Sequence, residues 1–414
     1  MYQSLRLILI ISLLVFSSAN YADEDDDINW SIKGFGTLGL AGTDTRALGF
    51  YRERSETQDA KAASFTTDSR LGLQLSADFN PSLNATVQWV ARDHAGNFFE
   101  QNLDWAFLRW NIDKDTTLRL GRLGADAFLL SDYRNVGYAY PWMRPPHEFY
   151  ASLPVYHFDG MDINKKISVS DGALSLKLFG GYSFSQYSVQ SVGLINTKIP
   201  LIGSNIGYES GNWNFRASYI FSNFKLDSTA SELKKTLNNI TSNNSIPFNP
   251  PIRNYLSINK NSNIQFYTLG AAYDDSIWLV QGEADYVNSD NKVINNIASA
   301  YLSIGRRFST VTLYSLYGFS KSFSNSIAIT EPLLDDPNLA KISTNVNQTL
   351  NQNNIDEQSV SVGLRWDFYT NMAFKTQLSH YWLGRDGKDL WQKPIMESSP
   401  NNVNVWSVGV DFIF

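Results

Sequence analysis

Past residue 28 the chain alternates apolar and polar residues with a period of two, again and again. Between Arg70 and Phe79, the residues Leu71, Leu73, Leu75, Ala77 and Phe79 interleave with Arg70, Gly72, Gln74, Ser76 and Asp78. After Asn80-Pro81 the pattern resumes, with Leu83, Ala85, Val87, Trp89 and Ala91 set against Asn84, Thr86, Gln88 and Arg92. Trp213, Phe215, Ala217, Tyr219 and Phe221 follow the same rule, as do Val360, Val362, Leu364, Trp366 and Phe368. A helix would repeat its apolar residues every three or four positions. Strict alternation instead puts them on one face of a strand and the polar residues on the other. Breaks in the pattern delimit about sixteen strands, starting near residues 30, 68, 82, 102, 116, 158, 172, 199, 212, 263, 276, 298, 310, 357, 372 and 404.

The connections alternate in length. Short ones hold turn formers: Asn80-Pro81, Asp113 to Asp115, Asp171-Gly172, Ser210-Gly211, Asp274-Asp275, Ser309-Thr310 and Thr370-Asn371. Long ones run from Gly42 to Thr67, Ala125 to Tyr156, Leu226 to Ser262, Lys321 to Asp356 and Gly384 to Val403, with shorter examples at His94, Tyr187 and Asn288. A soluble sandwich shares the alternation, whereas short turns at one end and long loops at the other mark a transmembrane barrel. The expected fold class is all-β: a transmembrane antiparallel β-barrel of about sixteen strands, with short periplasmic turns and long extracellular loops. The Asn- and Ser-rich loops Leu226 to Ser262 and Lys321 to Asp356 read as solvated extracellular segments.

Composition supports a membrane wall made of strands. Aromatic residues make up 14% of the chain, enough for belts at two membrane–water interfaces. After the first twenty positions there is no apolar run of the roughly 20 residues that a membrane helix needs. Residues 1–22 read as a signal peptide. Arg6 supplies the positive end, Leu7 to Phe16 the apolar core, and Ser17 to Ala19 or Asn20 to Ala22 the small residues for cleavage. Residues 23–414 are left for the barrel. The absence of cysteine excludes disulfides and thiolate metal sites, and a net charge of -6 argues against nucleic acid as a partner.

The C-terminal strand is the most specific signal. Trp406, Val408, Val410, Phe412 and Phe414 share one face, opposite Ser407, Gly409 and Asp411. An open edge of this kind invites aggregation, whereas in a closed barrel it pairs with the first strand near Trp30 to Leu40. With the signal peptide, the alternating loop lengths and the ending Val-Gly-Val-Asp-Phe-Ile-Phe, the chain resembles the outer-membrane porins of Gram-negative bacteria. The resemblance implies a water-filled channel for passive diffusion of small hydrophilic solutes and ions, integral to the cell outer membrane and in contact with its lipid and lipopolysaccharide. It also implies a homotrimer, and it makes Trp406, Val408, Val410, Phe412 and Phe414 the signal read by the barrel assembly machinery. The Pro-Glu-Phe-Gly-Gly run that many general porins carry in their pore loop is absent.

A barrel this wide leaves an aqueous channel that something must narrow. In porins the third external loop folds inward, and residues 125–156 occupy that position. This segment is rich in aromatics and carries Pro141, Pro145 and Pro146, so it loses little entropy on ordering and gains by burial. It is the expected pore-constriction loop, with an external lid or a subunit contact as the alternative. Arg70, Arg92, Arg109 and Arg119 fall on the polar phase of neighbouring strands and are candidate pore-lining residues, and Arg122 would join them through a bulge. Asp126, Asp132 and Glu148 of the loop would face them and set up a transverse field. Alternatively, these arginines hydrogen-bond the loop or neighbouring carboxylates. The lumen-phase acids Glu283 and Asp285 lie far along the sheet.

Tyr133, Tyr138, Tyr140 and Trp142 are candidate stacking residues for a substrate-specific channel for sugars or anions. A structural or adhesive surface barrel is the third class. No enzyme and no cofactor is expected. The histidines His94, His147, His157 and His380 lack metal-ligand spacing, and no Gly-x-Ser-x-Gly elbow occurs. The string Gly34, Gly36, Gly39 lies in the first strand, where small residues ease closure.

Overall fold

The alternation folds into a sheet that closes on itself. The structure, a computed structural model, describes residues 28–57, 62–96, 98–152, 155–189, 193–224, 262–290, 295–323, 354–391 and 400–414, without the side chains of 187–189, 193–196, 385 and 386. The expected signal peptide at 1–22 and most of the long loops Leu226 to Ser262 and Lys321 to Asp356 lie outside the described residues.

The strands are β1 (Asn29–Thr43), β2 (Ala63–Ser64), β3 (Arg70–Asn80), β4 (Leu83–Ala91), β5 (Leu103–Asn111), β6 (Thr116–Gly124), β7 (His157–Val169), β8 (Gly172–Val189) and β9 (Gly193–Ser210). They continue with β10 (Trp213–Phe224), β11 (Ser262–Asp274), β12 (Trp278–Ser289), β13 (Ile297–Phe308), β14 (Val311–Ser322), β15 (Ile355–Tyr369), β16 (Met372–Lys388) and β17 (Asn402–Ile413). Strand β2 has two residues and only edges the top of β1, so sixteen long strands make the wall. Each pairs antiparallel with its sequence neighbour, and β17 returns to β1 from Phe35↔Ile413 to Thr43↔Val405.

The hairpin turns fall where the turn formers predict. Ser309 and Asn371 sit in the left-handed region at φ 58° and 62°, the conformation that lets a two-residue connection reverse the chain. One boundary differs. Strand β9 starts at Gly193 rather than near 199, because Ile195 to Lys198 extend the hairpin by pairing with Tyr187 to Phe184 of β8.

Burial is the reverse of a soluble protein's. Leu269 is 66% exposed and Leu178 62%, whereas Ser299 and Ser361 are 1% exposed and Lys375 not at all. The apolar phase therefore points outward and the polar phase inward, which suits lipid outside and water inside. A second apolar cluster lies within the barrel, where Phe128, Phe149, Tyr150 and Trp142 of segment 125–156 pack against Phe266 and Tyr301 of the wall.

The seam between the first and last strands explains the glycine string. Gly34 and Phe414 exchange backbone hydrogen bonds of 2.7 and 2.9 Å. A Cβ on Gly34 would lie 2.1 Å from Cζ of Phe414, and one on Gly36 would lie 2.4 Å from Cζ of Phe412. The two phenyl rings, nearly parallel at 16°, therefore lie flat across β1. Gly39 points the other way, toward Asp68 and Met143 inside the barrel.

Candidate functional site

Segment 125–156 leaves β6, enters the lumen and returns at β7. Its backbone is ordered by two short helical turns, Gly137–Ala139 and His147–Tyr150, the second starting after Pro146. Once inside, the loop must replace water as the hydrogen-bond partner of the polar wall, and it does so on nearly every strand it crosses. Lys375 of β16 donates to the carbonyls of Gly137, Tyr140 and Trp142 at 2.7, 2.7 and 2.8 Å, and its Nζ lies 2.7 Å from Asp411 of β17. Arg144 forks onto Asp68, with its Nε 2.8 Å from Oδ1. The indole of Trp142 donates to Ser303 at 2.7 Å, and the backbone N–H of Leu129 donates to Glu283 at 2.7 Å. Arg365 donates to the carbonyl of Tyr138 at 2.6 Å.

The arginines from the sequence divide into three groups. Arg70 and Arg92 are buried under the loops: Arg70 donates to Asn135 at 3.0 Å, Arg92 stands 3.2 Å from Asp104, and each lies 3.9 Å from Glu53. Glu53 belongs to the first long loop, and although burial opposes its ionisation, Arg92, Arg134, Arg70 and Arg52 together hold its carboxyl below the usual range. Arg109 and Arg119 face each other across β5 and β6. Arg119 grips Asp162 through contacts of 3.0 and 3.1 Å, while Arg109 is exposed and makes no ion pair among the described residues. Arg122 corrects the expectation. No bulge interrupts β5–β6 or β6–β7, so alternation keeps Arg122 on the outward phase, paired with Asp159 at 2.7 Å.

The loop acids are corrected in part. Asp126 is buried between Lys177 and Arg216. Those two cations overcome the effect of burial and hold it down to about 2. Glu148 is buried against Glu357 and Gly318, and burial with the nearby Glu357 charge pushes its carboxyl up to about 7. Only Asp132 is exposed to the lumen. Of the candidate stacking residues, Tyr140 and Trp142 stack on each other at 5.9 Å and are 3% and 1% exposed, so neither can meet a solute. Tyr133 is exposed and Tyr138 half-buried under Arg365.

A closed sixteen-strand wall with one loop folded into it invites comparison with known barrels. The anion-selective porin from Comamonas acidovorans superposes with a TM-score of 0.54 at 11% identity, covering 94% of this chain and all of the other. OmpF of Salmonella typhi, solved with daunomycin, gives 0.53 at 12% identity over 94% of this chain and 98% of its own. The outer membrane channel DcaP of Acinetobacter baumannii gives 0.53 at 12% over 95% and 99%. This is the porin fold. No protein-family model matches the sequence, and no characterised protein matches it by sequence.

Within this porin fold the free lumen is bounded by Asp132 and Tyr133 on the loop and by Arg109, Arg119, Lys177 and Arg216 on the wall. The charge of Asp132 acts on Arg109, Arg119 and Arg216 alike. Lys177, Arg216, Lys375, Asp68 and Arg144 escape notice in the sequence. Each strand residue among them sits on the polar phase, but nothing local marks which polar residue meets the loop.

Proposed function

We propose that this chain is a porin of the Gram-negative outer membrane: a water-filled channel through which small hydrophilic solutes and ions diffuse passively. One observation carries the proposal, namely the inverted wall, apolar outside and polar inside, narrowed but not lined solely by its infolded loop. The loop acts as a fixed constriction, because Lys375 of the wall binds its carbonyls and its own Arg144 binds Asp68, all at full burial. Arg109 and Asp132 form the field across the passage, with Arg119, Lys177 and Arg216 tied to carboxylates behind them. The C-terminal residues Trp406, Val408, Val410, Phe412 and Phe414 serve as the signal for the barrel assembly machinery, and the protein works as a homotrimer in lipid and lipopolysaccharide. Burial of Tyr140 and Trp142 weighs against an aromatic sugar track. Chemistry on a solute is not part of the proposed role.

Refolded protein in planar bilayers tests this directly. It should form open, ohmic channels, and Arg109→Ser should shift the reversal potential in a salt gradient toward cation preference. A protein that inserts without conducting would sink the proposal.

A further inference from the structure

Behind the infolded loop lies a carboxylate with no cation beside it. Asp285 points inward from β12 at 5% exposure, its carboxylate oxygens are sealed from solvent, and the neutral Ser299, its register partner on β13, acts on it where no cation does. Its register partner on β11 is Thr268, and Thr268 is paired in turn with Ser218 on β10. The hydroxyls of Thr268 and Ser218 are also buried and without a partner. Three adjacent strands thus place four oxygens in one sealed row. The loop provides the seal: Phe128 packs edge-on against Phe266 at 5.5 Å, and Leu129 covers Gly270, the inward positions on either side of Thr268.

Charge tells what is missing. Nearby Glu283 is satisfied by Leu129, Tyr150 and Tyr301, and it lies in the field of Arg216. Lys177 and Arg216 already face three carboxylates, Asp126, Asp132 and Glu283, and leave no positive charge over for Asp285. Asp285 is left with a single uncompensated charge, whose burial costs far more than any neutral neighbour returns. Donors made of oxygen alone suit a hard cation. We propose that Asp285, Thr268 and Ser218 bind a small monovalent metal cation of the sodium class between the wall and the infolded loop. The site is independent of what passes through the lumen. It fixes the loop on β10 to β12, as Lys375 fixes it on β16.

The test is thermal unfolding of the refolded protein in micelles, with sodium chloride exchanged for choline chloride at constant ionic strength. The unfolding temperature of the wild type should rise with sodium and saturate, and Asp285→Asn should show no rise. Thr268→Val keeps the carboxylate and should need about tenfold more sodium for half the effect, as the loss of one ligand implies. Equal unfolding temperatures in sodium and choline, with a protonated-carboxyl infrared band that Asp285→Asn removes, would show a proton in the cation's place. A sodium effect that survives in Asp285→Asn would overturn the assignment too.

Discussion

Two stretches of the inner wall, built on one alternating pattern, meet opposite fates. From β12 to β17 the inward residues are sealed under the loop: Ser299, Ser303, Glu357, Lys375, Ser407 and Asp411 are all buried. From β5 to β8 the wall stays open, and Arg109 and Lys166 are exposed while Arg119 and Lys177 are partly so. The first stretch behaves as a polar protein core, where every donor needs a fixed acceptor. The second behaves as a channel surface, where water serves as a partner. The difference teaches that an inward-facing charge on a barrel strand has no single meaning. Whether it anchors or conducts depends on what the loop covers.

The largest effect should come from the covered side. Lys375→Met leaves Asp411 buried without its cation, removes one donor from each of the Gly137 and Tyr140 carbonyls and leaves that of Trp142 without the one Lys375 gave it, and should destabilise the barrel by about 3–5 kcal/mol. Thermal or denaturant unfolding in micelles checks this, and loss of the fixed loop should also make single-channel currents noisy.

Next in size is a dependence on pH. Because the folded protein pushes Glu148 up to about 7, folding favours its neutral form. Its contribution is complete below the unfolded carboxyl value of about 4.3 and disappears as pH rises through about 7. Loop packing should therefore tighten in mild acid, and Glu148→Gln should remove most of that dependence. Unfolding temperatures of both proteins across this range would show it, and parallel curves would mean that Glu148 is not the group responsible.

The smallest effects on stability belong to the open side. Arg109→Ser should change stability by less than about 0.5 kcal/mol while moving ion selectivity. Arg92→Ser should do the reverse, since Arg92 is buried against Asp104 and Glu53. Arg122→Ser, on the outward phase, should leave the reversal potential unchanged. Should Arg92 and Arg109 prove interchangeable in bilayer recordings, the distinction between the two stretches would be lost.

Much of this architecture is legible in the chain. The period of two, the turn pairs and the long loops give nearly every strand, since each rests on local backbone preferences and on one face choosing lipid. The entry of segment 125–156 into the lumen follows from its aromatics and prolines. What is not legible depends on distant partners. Glu148 and Trp142 look like pore residues until Glu357 and Ser303, each over 150 positions away, come to lie beside them inside the barrel. Arg122 shows the opposite limit: a bulge was needed to bring it in, and the registers on both sides run without one.

The bare backbone of Gly34 and Gly36 beneath Phe414 and Phe412 has a consequence for assembly. Thr37 and Asp411, hydrogen-bonded across that join, stand 374 positions apart, so the hoop is fastened by the most remote pair of strands it possesses. Until they meet, all sixteen strands form an open ribbon with two raw margins, and no shorter ring is available to them. A methyl group added at Gly34 would strike the aromatic clasp itself, and harm would fall on fastening the hoop rather than on any strand within it.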